Sequence, residues 1–193
     1  MHKFGGTSLA TSDRYRAAAD IVTKKNAISS TSRGPTAIVV SAMSKVTDAL
    51  IELTTLAAKR DETYLVKLDA LLLKHSETAT SLLSNGAATE LCRIFRNDFE
   101  SLKEILRGVW HVQSASESVV EFISGHGEIW SAQLLNAHLL DLGETCRWLD
   151  ARKALVVERG ETAVVVNWAN SQSKLQSFLQ EAPSAFVVIT GFI

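Results

Sequence analysis

The sequence predicts an α/β protein with a mainly parallel sheet, because short apolar runs alternate with segments of helical periodicity along the 193 residues. Several of these runs are rich in β-branched residues and end in glycine or hydroxyl residues, as is typical of parallel strands covered on both faces. A hydrophobic fraction of 46% is enough for a sizeable core. We therefore expect one globular unit.

The composition argues against several classes of function. Twenty basic and 21 acidic side chains give a net charge of -1, so a one-sided surface for nucleic acid or a membrane is not expected. Cys92 and Cys146 lack the spacing of a zinc or redox motif, and we predict free thiols and no metal site. No apolar stretch reaches about 18 residues, and a cytoplasmic protein is expected.

The chain opens with a strand, a glycine turn and a helix. The strand is predicted to end near Phe4, and Gly5-Gly6 follows it. Helical periodicity then runs from about Ser12 to Ile28, with an inner face formed by Tyr15, Ala18, Ala19 and Val22.

A polar loop is predicted over residues 29–35, followed by a buried parallel strand over residues 36–41 and a helix that begins near Lys45. Residues 50–108 are almost wholly helical in pattern, with breaks near Arg60 and Asn85. This segment predicts a helical insertion, about 50–110, beside the sheet.

The last third returns to alternating helix and strand. A helix is predicted over residues 117–142, interrupted at Gly125-His-Gly127 and ended by Gly143. Further strands are predicted over residues 145–149, 155–157, 162–166 and 185–190, with a helix over residues 171–180 for which Ser171 is the expected N-cap.

The first group of chemically suggestive residues is Lys3-Phe-Gly-Gly-Thr-Ser8, at the end of the first strand. Two glycines allow positive φ angles and a close approach of the backbone, so N–H groups and a helix N-terminus can converge on phosphate oxygens. Lys3 is the natural candidate to stabilise charge on a transferring phosphoryl group. An ordinary glycine turn with a solvated lysine is the alternative.

A second group follows the second strand, where Ser41, Ser44 and Thr47 stand at a helix start. Hydroxyls and free N–H groups at this position can hold a carboxylate. The alternative is that Ser44 or Thr47 simply caps the helix.

The third group is Ser124-Gly-His-Gly-Glu-Ile-Trp-Ser-Ala132, in a helix that is apolar around nearly its whole circumference and therefore buried. A buried carboxylate needs a partner, so Glu128 should face a lysine such as Lys3 or the amine of a ligand. A purely structural ion pair is the alternative. His126 is more consistent with a packed, hydrogen-bonded residue than with a catalyst.

Two more groups stand at strand ends. Asp150 and Arg152 are expected to pair with each other in a structural turn, and Gly191 is a candidate for close backbone approach. Ligands of open α/β sheets bind beyond the carboxyl ends of the strands. Since the sequence stops at Ile193, at such an end, we expect that further residues complete the site.

Together these motifs resemble aspartokinases of the amino-acid kinase family, in the same order and across the whole chain. The resemblance rests on Lys3-Phe-Gly-Gly-Thr-Ser8, Val40-Ser-Ala42 with Thr47, Gly127-Glu128 with Ser131-Ala132, Leu149-Asp-Ala-Arg152 and Thr190-Gly-Phe-Ile193. Two segments are most similar to those of bifunctional aspartokinase–homoserine dehydrogenases, particularly the methionine-associated form. These segments are Gly125-His-Gly-Glu-Ile-Trp-Ser-Ala132 and Trp148-Leu-Asp-Ala-Arg152.

The resemblance implies a three-layer amino-acid-kinase sandwich, with residues 1–193 as the N-terminal part of the catalytic domain. The nucleotide-binding half, the regulatory domain and a dehydrogenase domain with its NADP would lie outside this sequence. The implied reaction is ATP-dependent phosphorylation of the side-chain carboxylate of L-aspartate, with Mg²⁺ bridging phosphates. This is the first step toward lysine, threonine and methionine, and a homo-oligomer is expected.

The resemblance also implies roles for individual residues. Lys3 would contact the transferring phosphate, and Glu128 would meet the substrate amine or orient Lys3. The residues implied in phosphate binding are Gly5, Gly6, Thr7, Ser8 and Gly191, and those implied in aspartate binding are Ser41, Thr47 and Glu128.

Other functions remain open at this point. A sibling kinase would act on glutamate, N-acetylglutamate or carbamate with the same fold. The isolated chain could also be a binding or assembly module without catalysis. A dinucleotide-binding domain is disfavoured, because Gly5-Gly6 lacks the third glycine and the acidic residue of that fingerprint.

Overall fold

The computed structural model describes residues 1–28, 34–159 and 164–191. The strands are β1 (His2–Phe4), β2 (Thr36–Val40), β3 (Cys146–Leu149), β4 (Val157–Arg159), β5 (Val164–Val166) and β6 (Phe186–Thr190). The helices are α1 (Ser12–Ile28), α2 (Val46–Ala58), α3 (Thr63–Leu82), α4 (Asn85–Val112), α5 (Glu117–Ser124), α6 (His126–Asp141), α7 (Ala151–Ala154) and α8 (Trp168–Glu181), and a 3-10 turn covers Gly6–Leu9.

A four-stranded parallel sheet in the order β1-β2-β6-β3 forms the centre of the molecule. Phe4 is paired with Val40, Val40 with Thr190, and Leu149 with Ile189, so the strand ends are level. Because all four strands run in the same direction, their carboxyl ends meet at one edge, where ligands of such sheets bind. The predicted parallel sheet is confirmed.

The sheet is covered by helices on both faces, which gives the three layers expected of the fold. Phe4, Val40 and Phe186 point into the main core, where α1, α2 and α6 pack. The opposite face carries Val187 and Leu149, which pack with α7 and α8. Side chains alternate between faces along a strand, so each strand contributes to both layers.

The helices α2, α3 and α4 form the long helical segment that follows β2, and they pack against one another. The breaks fall near the predicted positions, since α2 ends at Ala58 and α4 begins at Asn85. The buried side chains include those at helical spacing in the sequence, namely Leu50, Leu53, Leu68, Leu71, Leu91, Phe95, Phe99, Leu102 and Leu106.

Glycine sets two helix boundaries as predicted. The helical pattern over residues 117–142 breaks at Gly125, which separates α5 from α6. Gly143 has a φ of 86° and follows the end of α6, in the left-handed conformation that commonly ends a helix. The inner face of α1 is also as predicted, because Tyr15, Ala18, Ala19 and Val22 are all buried.

Two predictions in the last third were wrong in detail. Helix α8 begins at Trp168 rather than Ser171, because the side chain of Asn167 accepts a hydrogen bond from Asn170 N and caps it. Ser171 is buried, and its hydroxyl donates to Asn167 O and accepts from Val156 N. The strand predicted over 155–157 begins at Val157, and β4 pairs with β5 in a separate antiparallel ribbon.

Parts of two predicted segments, residues 29–33 and 160–163, lie outside the described residues. Cys92 and Cys146 are free thiols, as predicted. No helix in the described ranges combines the length and apolarity needed to cross a membrane.

Replacing Gly127 by alanine should destabilise the fold, because the added Cβ would lie 2.8 Å from Ala42 Cβ and 3.2 Å from Val46 Cγ1. Overpacking of this kind typically costs about 1–3 kcal/mol. Gly108→Ala is the matched control, since nothing lies within 4 Å of its added Cβ and it stands inside α4. The control should be neutral or stabilised by up to about 1 kcal/mol. Urea unfolding measures the free energy of unfolding of each variant. Equal values for the two variants would contradict the close packing of Gly127 against Ala42 and Val46.

Candidate active site

The carboxyl edge of the sheet brings together the residues that follow each strand. Gly5 follows β1, Ser41 follows β2, Gly191 follows β6 and Asp150 follows β3. Ser41 N–H donates to Phe4 O over 3.0 Å, which joins the first two strand ends. A Cβ added to Gly191 would lie 2.8 Å from Val40 O, so Gly191 is a close-approach glycine as predicted.

The loop from Ser41 to Lys45, here called the β2–α2 loop, is the structural centre of this edge. Gly6 rests directly on it, since an added Cβ would lie 2.9 Å from Ala42 O and 3.6 Å from Ser44 Cα. The start of α6 presses on the same loop through Gly127. Small residues at these positions therefore allow three chain segments to meet at backbone distance.

Glu128 projects from the first turn of α6 onto the same loop. Its Oε1 accepts a hydrogen bond from Ala42 N–H over 3.2 Å. Its Oε2 is buried and has no hydrogen-bond partner within the described structure. The residue is only 4% exposed. A buried carboxylate with one oxygen unpaired is costly unless a cation or donor completes it.

The electrostatics of Glu128 follow from this environment. Burial raises the pKa of its carboxyl group above the ordinary value, and the hydrogen bond from Ala42 N–H opposes this only in part. A positive charge placed against Oε2 would favour the ionised form.

The position of Glu128 is fixed by the packing of α6. Tyr15 Oη and Ser131 Oγ are hydrogen-bonded at 2.8 Å in a buried contact that ties α1 to α6. The Trp130 ring stacks on Phe99 with centroids 4.3 Å apart, and its Nε1 donates to Asp98 Oδ2 over 3.1 Å. These contacts fix α6 against α1 and α4 and so fix the backbone from which Glu128 projects.

The predicted Lys3–Glu128 pair is not formed. Lys3 pairs in register with Val39, which pairs with Ile189, so Lys3 shares the sheet face of Ile189 and not that of Phe4. Its side chain is exposed. Throughout the described ranges no lysine or arginine lies within ion-pair distance of Glu128.

The glycine turn differs from the expected phosphate loop in two respects. Gly143 is the glycine with positive φ among the described residues, and Gly5 is extended at a φ of -82°. The helix that follows directly is the 3-10 turn Gly6–Leu9, and α1 begins only at Ser12. Gly6 approaches the backbone of the β2–α2 loop closely, and the positive φ angles that glycine permits are not used at Gly5 or Gly6. Thr7 and Ser8 are exposed in this turn.

Ser41 and Thr47 lie at the same edge and are partly exposed. The alternative in which Ser44 or Thr47 caps α2 is wrong, because Lys45 occupies the N-cap position and no side chain caps this helix. Their roles toward a ligand stay a prediction.

Asp150 and Arg152 form the structural pair that was predicted. Arg152 Nε and Nη2 donate to the two carboxylate oxygens of Asp150, at 2.9 Å and 2.8 Å for the shortest contact of each. Burial raises the pKa of Asp150, but the hydrogen bonds and charge of Arg152 outweigh it and the net shift is downward. Thr190 Oγ1 accepts from Ala151 N–H over 2.8 Å and fixes this turn to β6.

His126 is a packed residue, as expected. Its Nδ1 lies 2.8 Å from Phe122 O, and burial is the main reason that its pKa is lowered. In the part of the chain that the structure describes, no group of three or more His, Cys, Asp or Glu side chains is placed to hold a metal ion.

Sequence comparison agrees with this geometry. The model of the amino acid kinase family matches residues 1–193. The chain belongs to the amino acid kinase family. Among curated relatives, the chloroplastic bifunctional aspartokinase/homoserine dehydrogenase 2 of Arabidopsis thaliana is 37% identical over 194 residues, covering all of this chain and 20% of the relative. The bifunctional aspartokinase/homoserine dehydrogenase 2 of Escherichia coli is 32% identical, with 22% of its length covered. The chain thus spans about a fifth of these relatives.

Solved structures show the same fold. Aspartokinase III of E. coli, in complex with aspartate and ADP, superposes with a TM-score of 0.78 at 20% identity, covering 98% of this chain and 39% of that one. The same enzyme with lysine and aspartate gives a TM-score of 0.77. The predicted amino-acid-kinase fold is confirmed.

Glu128→Gln should change the pH dependence of stability. Because the pKa of Glu128 is raised in the folded state, the folded protein binds more protons between the ordinary and the raised value, and its stability falls as pH rises through that window. Glutamine keeps the acceptor for Ala42 N–H and removes the charge. The stability of the variant relative to the parent should therefore increase with pH above about 4.5.

Urea unfolding at a series of pH values checks this. Glu100→Gln, at an exposed position of α4, is the matched control and should show no such gain. A constant difference between Glu128→Gln and the parent at all pH values would contradict a raised pKa.

Proposed function

We propose that this chain is the aspartate-binding and phosphate-binding part of an aspartokinase catalytic domain, with residues 1–193 as its N-terminal part and 50–110 as a helical insertion. The observation that carries the proposal is Glu128, a buried carboxylate with one oxygen unpaired at the ligand edge of the sheet. The names of the relatives, which are bifunctional aspartokinase/homoserine dehydrogenases, support it.

In this proposal the ammonium group of L-aspartate binds Glu128 Oε2, and Ser41 and Thr47 hold the rest of the substrate. The ammonium supplies the missing positive charge, and its three donors fit an oxygen that has no other partner. Charge-assisted hydrogen bonds of this type contribute about 1.5–3 kcal/mol. Glu128 is therefore assigned to binding the substrate amine rather than to orienting Lys3.

The phosphate contacts are proposed at the ends of β1 and β6, on the same edge of the sheet. Lys3, Gly5, Gly6, Thr7, Ser8 and Gly191 are the proposed contacts of the transferring phosphate. A side-chain carboxylate oxygen of aspartate attacks the γ-phosphorus of ATP, the bond to the β-phosphate oxygen breaks, and ADP and 4-phospho-L-aspartate form. Such a transfer depends on positioning and charge stabilisation and needs no covalent enzyme intermediate. Mg²⁺ would neutralise phosphate charge on the nucleotide.

Calorimetry of the chain with L-aspartate tests the proposal. Glu128→Gln should weaken binding about 10- to 100-fold, because a charge-assisted contact is lost. N-acetyl-L-aspartate is the matched ligand control, since acetylation removes the ammonium charge, and it should bind no better to the parent than to the variant. Equal aspartate affinity of parent and variant would contradict the assignment of Glu128.

Substrate choice is tested in the same way with L-glutamate, which has the same charged groups and one more methylene. We expect aspartate to bind more tightly by about tenfold or more. Tighter binding of glutamate would favour the sibling kinase instead. ATP should bind more weakly than aspartate, because the adenine-binding half is expected outside these residues.

The biological setting stays a prediction. The relatives support a place in a bifunctional enzyme at the start of the pathway to lysine, threonine and methionine. A homo-oligomer is proposed for such an enzyme. A cytoplasmic location is the expectation from the sequence. The plant relatives are named as chloroplastic enzymes.

A further inference from the structure

A lysine of the helical insertion reaches the ligand edge of the sheet. Lys74, in α3, donates from Nζ to Ser44 O over 3.0 Å and is partly buried there. Ser44 belongs to the β2–α2 loop, two residues after the Ala42 N–H that binds Glu128. A residue 30 positions away from Ser44 in sequence thus places an ammonium group beside the proposed substrate site.

A second lysine stands next to it. Lys45 is the N-cap of α2, is exposed, and has a φ of 65°. Its charge and that of Lys74 are close enough to repel, and together with burial this lowers the pKa of Lys74. Across residues 1–28, 34–159 and 164–191, neither lysine forms an ion pair with a carboxylate.

Charged groups of both signs lie around the β2–α2 loop. Glu128 Oε2 is buried without a partner beside the β2–α2 loop. The ammonium group of Lys74 lies against Ser44 O of the same loop, next in sequence to Lys45, and within the described residues neither lysine pairs with a carboxylate. A ligand with a cationic group and an anionic group would pair with Glu128 through the first and with the two lysines through the second. An amino acid is such a ligand, and its oxyanion would relieve the repulsion between the lysines.

We propose that Lys45 and Lys74 form an oxyanion-binding subsite at the β2–α2 loop, which takes a carboxylate or phosphate group of the bound ligand. This rests on the proposed function, since it assigns a second contact within the same site. The two sources of the oxyanion are the carboxylate of aspartate and a phosphate of ATP. The charge of Lys74 is brought by the helical insertion, so the subsite links the insertion to the chemistry of the edge.

Lysine-selective NMR, with ¹³C at Cε, reports on each ammonium group during titration with L-aspartate, ATP or sodium pyrophosphate. The signals of Lys45 and Lys74 should shift together and saturate with at least one of these ligands. Lys67 is the internal control, because it lies two turns earlier on α3 and pairs with Glu52 over 2.9 Å. A shift with aspartate identifies a carboxylate, and a shift with ATP and pyrophosphate identifies a phosphate.

Variants separate binding from support of the loop. Lys74→Met and Lys45→Gln should each weaken the same ligand about 5- to 30-fold, Lys74→Arg should retain most of the affinity, and Lys67→Met should have no effect. If Lys74→Met alone weakens binding, Lys74 only supports Ser44 and the subsite is overturned.

The outcomes also distinguish this inference from the proposed function. Aspartate binding that depends on Glu128, with no shift of Lys45 or Lys74 by any of the three ligands, would overturn the subsite and leave the proposed function intact. If the Lys45 and Lys74 signals shift and saturate with pyrophosphate but the chain does not bind aspartate, the subsite is supported and the proposed function is overturned.

Discussion

The hydrogen bond from Ala42 N–H to Glu128 Oε1 is the contact on which the arrangement of the edge depends. It joins the end of β2 to the start of α6 and leaves the second carboxylate oxygen buried without a partner. Burial of a charged group in this state costs several kcal/mol unless it is compensated. Gly127, Gly6 and Ala42 are small enough for the surrounding segments to pack closely around this contact. Unfavourable polar burial of this kind is concentrated at functional sites.

Most of the fold could be predicted from the sequence, because the parallel strands are short apolar runs and the helices have a clear period. The boundaries of α1 and the break at Gly125 are where the pattern placed them. The start of α8 was missed because Asn167, three residues before Asn170, gives a better cap than the buried Ser171. The antiparallel β4–β5 ribbon was missed because strand direction depends on tertiary pairing, which a local apolar pattern does not contain.

The candidate site was predictable in its residues but not in its contacts. The glycines, Ser41 and Gly191 meet at one edge, as strand ends in a parallel sheet must, and Glu128 of α6 reaches that edge through its hydrogen bond from Ala42 N–H. The pairing of Lys3 with Glu128 was wrong, because alternation along β1 turns Lys3 to the other face. The partner of Glu128 is a backbone N–H, which no side-chain pattern reveals. The sequence pattern did not single out Lys74 as a site residue, because only the packing of α3 brings it to Ser44.

The two faces of the edge suggest a division of the chemistry. Glu128 and the β2–α2 loop lie on the α6 side, and Gly6 of the glycine turn rests on that loop, whereas the Lys3 side chain lies on the opposite face of the sheet. A substrate held from one face and a phosphate from the other would meet above the strand ends, which is the geometry that in-line transfer requires.

The measurement that tests the central claim most directly is the titration of the Glu128 side-chain carboxyl by ¹³C NMR, with and without saturating L-aspartate. In the free protein its pKa should lie above the ordinary glutamate value because of burial. Bound aspartate should lower that pKa, because an ammonium group beside Oε2 favours the ionised form. A Glu128 pKa that is the same in both samples, while aspartate is bound, would show that the substrate amine lies elsewhere.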